Sequence, residues 1–470
     1  MGAYDFARKK GKKRMKGLTL SRMAEVCNGR YIGRAEDALR EVDSITTDSR
    51  KAEPGSLFAA IKGERVDGHT FIPSVFEKGA LCVLSEHELE GQNGNYILVD
   101  STLEALKAIA QEYLEQLKIP VVGITGSVGK TSTKEMIAAV LSQKYRVLKT
   151  AGNFNNELGL PLTVFRLREE DEIAVLEMGI SDFGEMHRLA KIAKPDTCVI
   201  TNIGQCHLEF LGDRDGVLRA KTEIFDFLRP NGHIVLNGDD DKLETIKEVK
   251  GIEPVFFGIG SENEVYADRM EKKGLEGISC HIHTKKGSFS ALIPIPGIHM
   301  VQNALAGTAV GLIYGLTLQE IKAGIESLQP LGGRFHKIKT EKFLIIDDCY
   351  NANPVSMKAS LGLLQDALGR KVAILGDMGE LGADEGKLHH SVGEFAGSLD
   401  IDCCICVGPL CGQLADGITS VNQKMEVIHF ENLEELLHQL PKLVKTDDTI
   451  LVKASHFMHF EKVVEKLTNL

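Results

Sequence analysis

The chain has 470 residues, 43% of them hydrophobic and 26% charged, which are globular proportions in a length too great for one ordinary core. Its 55 Lys and Arg against 66 Asp and Glu leave a net charge of −11, so nothing global favours nucleic acid, and no apolar run approaches membrane-spanning length. Ten cysteines scattered without paired spacing suit a reducing cytosol rather than a disulfide framework.

Residues 1–17 hold the basic run Arg8 to Lys16 with no apolar stretch after it. That excludes a secretory signal and reads as a disordered leader, with Met15 as an alternative start of the folded chain. Residues 18–118 alternate short helical and strand patterns and end in a helical run from Thr102 to Leu117, broken by Pro120. From 119 to 330 the rhythm is strand–helix, with predicted strands Val121–Ile124, Ile173–Glu177, Thr197–Asn202 and His233–Asn237 in a largely parallel sheet. Within this stretch, 251–295 is richer in β-branched residues, Gly and Lys and predicts an antiparallel insert.

Gln329–Gly333 reads as a hinge. Beyond it, 331–470 repeats the βα rhythm with Phe343–Asp347, Val372–Leu375, Cys403–Val407 and Thr449–Val452, as in a Rossmann-like domain. Cys403, Cys404 and Cys406, with Cys411 beyond, alternate like a buried strand, and no CxxC pair or nearby histidine completes four zinc ligands. The expectation is an α/β protein of three domains: a small α/β domain, a central P-loop ATPase-like parallel sheet and a C-terminal Rossmann-like domain.

The most informative stretch runs from Pro120 to Thr133. An apolar strand leads into Thr125, Gly126, Ser127, Gly129, Lys130 and Thr131, and a helical pattern follows to about Gln143. Strand, glycine-rich loop and helix form a phosphate cradle: backbone N–H groups face the phosphates, Lys130 reaches the β and γ oxygens, and the Thr131 hydroxyl can sit on Mg²⁺. Ile124 stands where the standard spacing has glycine, so the loop is a variant.

Other candidates fall on the same predicted edge of the sheet. Glu177 ends a strand, where a carboxylate beside a phosphate loop is placed to hold Mg²⁺; pairing with a surface lysine is the plainer alternative. His207 lies just beyond another strand, as a metal ligand or a structural histidine. Lys221, in Ala220-Lys-Thr-Glu223, is read in the first turn of a helix, where its charge opposes the helix dipole. Carbamoylation would reverse that charge, although on physical grounds alone a solvated lysine is favoured. Asn155 and Asn156 supply amides that suit phosphate or a substrate carboxylate, or merely a turn. Asp348, Tyr350, Asn351 and Asn353 gather at a strand tip, suited to a ribose and adenine or to an Asn/Pro turn without a ligand.

In this order these pieces resemble the Mur ligases, the ATP-dependent amide-forming enzymes of peptidoglycan precursor synthesis, from about Leu18 to the C-terminus. The variant loop is that family's form. The resemblance implies that Thr131, Glu177, His207 and a carbamoylated Lys221 hold two Mg²⁺ ions, which reverses the physical preference at Lys221. It implies ATP contacts from His299, Asn303, Arg334, Asp348, Tyr350, Asn351 and Asn353. It also implies a UDP-sugar-binding first domain using Asp48, Ser49 and Arg50, with Leu57–His69 beside them, and substrate contacts from Asn155, Asn156, Lys453 and Ser455. Leu375–Gly382 and Tyr350–Pro354 are of the type found in the member that adds D-Ala-D-Ala to UDP-MurNAc-tripeptide, and the Asp-Asn-Pro-Arg sequence of the preceding ligase is absent. Met300 and His456 depart from the family, which usually has asparagine and arginine there.

The implied reaction activates the tripeptide carboxylate as an acyl phosphate, with the D-Ala-D-Ala amine as nucleophile. Lys130, Lys221 and His207 stand closest to the chemistry, in a monomeric cytoplasmic enzyme. Two rival readings remain: another amide ligase of the superfamily, such as a folylpolyglutamate synthetase, and a nucleotide-binding regulator without catalysis.

Overall fold

A computed structural model of the chain describes residues 14–63, 66–91, 94–330 and 332–470. The basic leader up to residue 13, Glu64 and Arg65 of the Leu57–His69 motif, and Leu331 of the expected hinge lie outside the described residues. Met15 already belongs to the core: its side chain is fully buried and its N–H donates to the Val42 carbonyl over 2.8 Å.

Three sheets organise the chain. The first joins β1 (Arg30–Ile32), β2 (Ser44–Thr46), β3 (Ser56–Ala59), β4 (Cys82–Ser85) and β5 (Asn95–Leu98) in the order β1-β5-β4-β3-β2. Only the β1–β5 pair is antiparallel. The second contains β6 (Val121–Thr125), β7 (Val147–Lys149), β8 (Ile173–Glu177), β9 (Thr197–Ile200), β10 (His233–Asn237), β11 (Val255–Gly258), β12 (Val265–Lys272), β13 (Ile278–Thr284) and β14 (Gly287–Ile293). Its order is β14-β13-β12-β11-β10-β9-β6-β8-β7. The third contains β15 (His336–Lys339), β16 (Leu344–Asp347), β17 (Lys371–Gly376), β18 (Cys403–Val407), β19 (Glu426–Phe430) and β20 (Thr449–Lys453), ordered β15-β16-β20-β17-β18-β19.

The 251–295 expectation needs correction. β11 pairs parallel to β10 and β12 parallel to β11, so the parallel sheet continues into this stretch. The antiparallel expectation holds for β12, β13 and β14, sheet neighbours in that order joined through 273–277 and 285–286, connections of hairpin length that call for antiparallel pairing. Composition signals strand there, but it does not encode strand direction.

By its internal contacts the chain divides into two compact units. The first runs to Asp268 and adds His281–Ser290 and Gln302–Ile325; the second comprises Arg269–Cys280, Ala291–Val301 and Glu326–Leu470. Within the first, helix α1 (Thr102–Leu117) joins the first sheet to the second. Ser101 caps it, accepting from the Glu104 N–H, and Lys118 in the left-handed region ends it before Pro120. Leu106, Ile109, Tyr113 and Leu114 of α1 share one buried cluster with Leu57 and Leu84 of the first sheet and Leu176 of the second. Each such side chain contributes about 1.5–3 kcal/mol when fully buried. The Tyr113 hydroxyl bonded to the Leu167 carbonyl adds only about 1 kcal/mol. Apolar burial therefore does most of the joining. A separate cluster around Ile345, Ile374, Ile405, Val452 and Phe460 fills the third sheet. Cys403, Cys404 and Cys406 are all buried in β18, as expected of a core strand, and both faces of it are covered rather than one.

Candidate active site

The phosphate loop is built by steric exclusion. Gly126 sits at φ 151°, and a Cβ there would lie 1.9 Å from Thr201 Oγ1. Gly129, at φ 81°, is the N-cap of helix α2 (Lys130–Leu141). The segment after β9 clamps the loop from the side. Thr201 Oγ1 donates to the Val128 carbonyl (2.8 Å), Asn202 Oδ1 accepts from the Val128 N–H (2.9 Å), and Ser127 Oγ accepts from the Gly204 N–H (2.8 Å) and lies 3.2 Å from Cys206 Sγ. Lys130 Nζ folds back onto the Gly126 carbonyl at 2.8 Å. The strand predicted as Thr197–Asn202 thus ends at Ile200, and its last two residues position the loop instead.

Glu177 ends β8 with 2% exposure. Its Oε1 accepts from Thr131 Oγ1 (3.1 Å) and Asn155 Nδ2 (2.9 Å), while its N–H donates to Thr150 Oγ1 (3.0 Å). Oε2 is buried with no hydrogen-bond partner among the described residues. An orphaned carboxylate oxygen beside a threonine hydroxyl is a donor set that suits a hard divalent cation. Sequence reasoning missed the neighbour of that oxygen: Lys134 Nζ, 1% exposed, lies 3.6 Å from it and 3.2 Å from Glu135 Oε1. The signal was available, since residue 134 lies one turn beyond Thr131 on the same helix face.

Lys221 corrects the sequence expectation. Helix α3 spans Arg214–Thr222 with Asp213 as its N-cap, accepting from the Gly216 N–H at 2.8 Å, so Lys221 lies in the last turn. The helix dipole favours a cation there, and the charge-reversal argument fails. Burial acts instead: Lys221 is 1% exposed, and burial first, then the charge of Lys130, holds its ammonium down to about 8. His207 is exposed at φ 52°, with its backbone carbonyl bonded to the N–H groups of Phe210 and Leu211. No group of three or more His, Cys, Asp or Glu side chains converges on one point among the described residues.

The remaining candidates of this unit divide by role. Asn303, in helix α4 (Ile298–Ile313), accepts from Thr133 Oγ1 at 2.8 Å. Thr125 Oγ1 is buried without a hydrogen-bond partner among the described residues. Asn156 Oδ1 accepts from the Gly159 N–H (2.8 Å) and is engaged in a local turn. Asp48 and Arg50 face each other in a bidentate pair (2.8 and 2.9 Å), which with the Asp48–Arg50 backbone bond holds the Asp48 carboxyl down to about 2. Ser49 contributes its carbonyl to Lys78 Nζ at 2.7 Å. A cavity of 380 Å³ lined by Arg34, Arg40, Phe76 and Asn95 also lies in this unit, with both arginines committed to Asp37.

In the second unit, Lys453 is 3% exposed and donates to Asp348 Oδ2 (2.5 Å) and the Asn351 carbonyl (3.2 Å). Ser360 Oγ and the Phe335 N–H also bond Asp348, at 2.6 and 3.0 Å. The Arg334 guanidinium lies 4.3 Å over the Tyr350 ring, and the His456 ring meets Tyr350 edge-on at 5.7 Å. His299 is within electrostatic reach of Asp348 and Lys453. Ser455 Oγ accepts from the Gly379 N–H (2.8 Å). Asn353 caps helix α5 (Pro354–Leu364) in a reciprocal box with Ser356.

Three family models match in succession: the Mur ligase family catalytic domain over 41–121, the Mur ligase middle domain over 124–311 and the Mur ligase glutamate ligase domain over 333–456. A relative from Bacillus subtilis, named UDP-N-acetylmuramoyl-tripeptide–D-alanyl-D-alanine ligase, is 39% identical over 96% of this chain and 98% of its own length. This chain belongs to the Mur ligase family. Among solved Mur ligases, a MurF from Acinetobacter baumannii is similar with a TM-score of 0.89, 34% identity and coverage of 96% of this chain and 99% of its own. A MurF ligase from Thermotoga maritima in complex with ADP is similar with a TM-score of 0.78, 31% identity and coverage of 91% and 97%. No helix among the described residues of this Mur ligase is long and apolar enough to cross a membrane.

Proposed function

We propose that this chain joins D-Ala-D-Ala to the terminal carboxylate of UDP-MurNAc-tripeptide at the expense of ATP, in the cytosol, during peptidoglycan precursor synthesis. The observation that carries the reading is identity sustained over nearly the whole of both chains with a ligase of that name from Bacillus subtilis. The phosphate loop supports ATP as the activating reagent, as does ADP in the Thermotoga maritima MurF.

A carboxylate oxygen is a poor leaving group, so the tripeptide carboxylate first attacks the γ-phosphoryl group and forms an acyl phosphate with release of ADP. The D-Ala-D-Ala amine then adds to the acyl carbon. The tetrahedral intermediate loses a proton and expels inorganic phosphate, leaving the amide. Lys130 leaves the Gly126 carbonyl to follow the γ-phosphoryl oxygens, and the N–H groups that open α2 face the phosphates. Mg²⁺ would be held by Glu177 Oε2 and the Thr131 hydroxyl, with His207 and a carbamoylated Lys221 for a second ion, and it would offset charge on the transferring group. Asn303, His299, Arg334, Asp348, Tyr350, Asn351 and Asn353 are assigned to the nucleotide. Asp48, Ser49, Arg50, Asn155, Asn156, Lys453 and Ser455 are assigned to the other substrates.

The test is phosphate release from ATP, measured with each substrate omitted in turn and with tripeptides bearing either lysine or diaminopimelate. Release that requires both UDP-MurNAc-tripeptide and D-Ala-D-Ala is expected. Release indifferent to either one overturns the reading.

A further inference from the structure

The reaction as derived uses two of the lysines around the phosphate loop and leaves Lys134 without a task. Its side chain is 1% exposed, which an ammonium tolerates only when it is paired. Its two partners differ in kind. Glu135 Oε1 is 3.2 Å away, and the other oxygen of Glu135 is bonded by Lys149, which is 44% exposed. Glu177 Oε2 is 3.6 Å away, beyond hydrogen-bond length. Charges therefore alternate from the surface inward as Lys149, Glu135, Lys134 and Glu177.

The other oxygen of Glu177 is treated differently. Oε1 takes hydrogen bonds from Thr131 and Asn155, and Oε2 takes none among the described residues. Lys134 attracts Oε2 by charge without occupying its lone pairs. Rotation of the carboxylate is opposed, and the lone pairs stay available.

We propose that Lys134 is a positioning residue for Glu177, holding Oε2 in place for a divalent cation by charge alone, with Glu135 as the anchor that keeps the ammonium from closing on that oxygen. The proposal rests on the reading of Glu177 as a Mg²⁺ ligand. Groups that orient metal ligands from behind typically change metal affinity by about 10–100-fold when removed.

The experiment is a Mn²⁺ titration of the full chain, followed by the loss of the free-ion electron paramagnetic resonance signal, together with the Mg²⁺ dependence of turnover. Lys134→Met alone takes a charged partner from both Glu135 and Glu177 and changes the net charge of the cluster, so the main variant is the charge-balanced Lys134→Met/Glu135→Gln. We expect Mn²⁺ affinity to fall about ten-fold and half-saturating Mg²⁺ to rise by a similar factor, with a much smaller change in kcat at saturating Mg²⁺. Glu135→Gln, which keeps the lysine, is expected to weaken Mn²⁺ binding too, because the released ammonium closes on Oε2. Metal affinity unchanged in a folded double variant, or in Glu135→Gln where the double variant does not fold, overturns the proposal. Glu177→Gln separates the two ideas: if it leaves Mn²⁺ binding intact, the metal reading of Glu177 itself fails.

Discussion

The Thr131 hydroxyl donates to Glu177 Oε1 over 3.1 Å, so the first turn of the P-loop helix and the end of β8 meet directly. The contact leaves one carboxylate oxygen satisfied and the other open. Glu177→Gln preserves the shape and an acceptor oxygen but removes the charge. If Oε2 serves Mg²⁺, turnover at saturating ATP should fall about 100-fold or more, a loss comparable to removing one transition-state donor. Thermal unfolding should change little, because Lys134 keeps Glu135 as a partner. Steady-state assays at several Mg²⁺ concentrations check this; a variant within about three-fold of the parent would remove Glu177 from the metal site.

Lys221 gives a pH prediction. Its ammonium is held down to about 8 by burial and then by Lys130, against an ordinary 10.5. Only the neutral amine adds CO₂, forming a carbamate and releasing a proton. The neutral fraction climbs from about a tenth at pH 7 to about nine-tenths at pH 9. With bicarbonate present, turnover should rise with a midpoint near 8. Lys221→Ala should recover part of its activity with short carboxylic acids. Bicarbonate-independent activity together with no rescue in a folded variant would exclude the carbamate.

The same shift fixes a stability effect and its sign. The folded-state pKa lies below the unfolded one, so the contribution is fully present above pH 10.5 and is lost as pH falls through about 8. In CO₂-free buffer, Lys221→Met should therefore stabilise the chain at pH 7 by up to about 3 kcal/mol, and by almost nothing at pH 11. Urea unfolding at the two pH values reads this directly. A stabilisation that does not depend on pH would trace to packing instead.

Gly126 tests how the loop is shaped. At φ 151°, with Thr201 Oγ1 in the place of a Cβ, alanine meets both backbone strain and a clash. Gly126→Ala should cost about 1–3 kcal/mol of stability and weaken ADP binding in calorimetry by more than about ten-fold. Adding Thr201→Ala relieves the clash but not the strain, so recovery should be partial. Full recovery would show that the contact alone matters.

The sequence carried different parts of this picture with different clarity. Helix α1 was readable because its apolar period and Pro120 are local signals, and Ser101 caps it where that period begins. Strand β18 was readable because Cys403–Val407 is an unbroken apolar run after Asp402, and all five positions are buried. Lys221 was misplaced because the helix start depends on Asp213, whereas Ala220-Lys-Thr-Glu223 alone suggests a beginning. The place of Lys134 on the Thr131 face was legible from helical spacing, but its pairing with Glu177 of β8 is a tertiary fact that no local pattern announces. The parallel run into β12 was lost for a related reason: strand direction is set by the path of the chain between strands.

In the second unit the decisive pair is Lys453 and Asp348. Lys453 is almost wholly buried and forms the one salt bridge to Asp348 among the described residues, alongside the neutral Ser360 hydroxyl and Phe335 N–H. Removing one member of a buried pair typically costs about 3–5 kcal/mol, because the other charge stays behind without compensation. The Asp348 side chain keeps 14% exposure, so the lower end applies to Lys453→Met. Asp348→Asn in the same chain removes the stranded charge and should restore about half of the loss. Hydrogen exchange should place the damage around β16 and β20, leaving the amides of β6 and β8 protected. Equal losses in the single and double variants would mean that Lys453 acts through its bond to the Asn351 carbonyl, and that the ion pair contributes little to the unit that carries it.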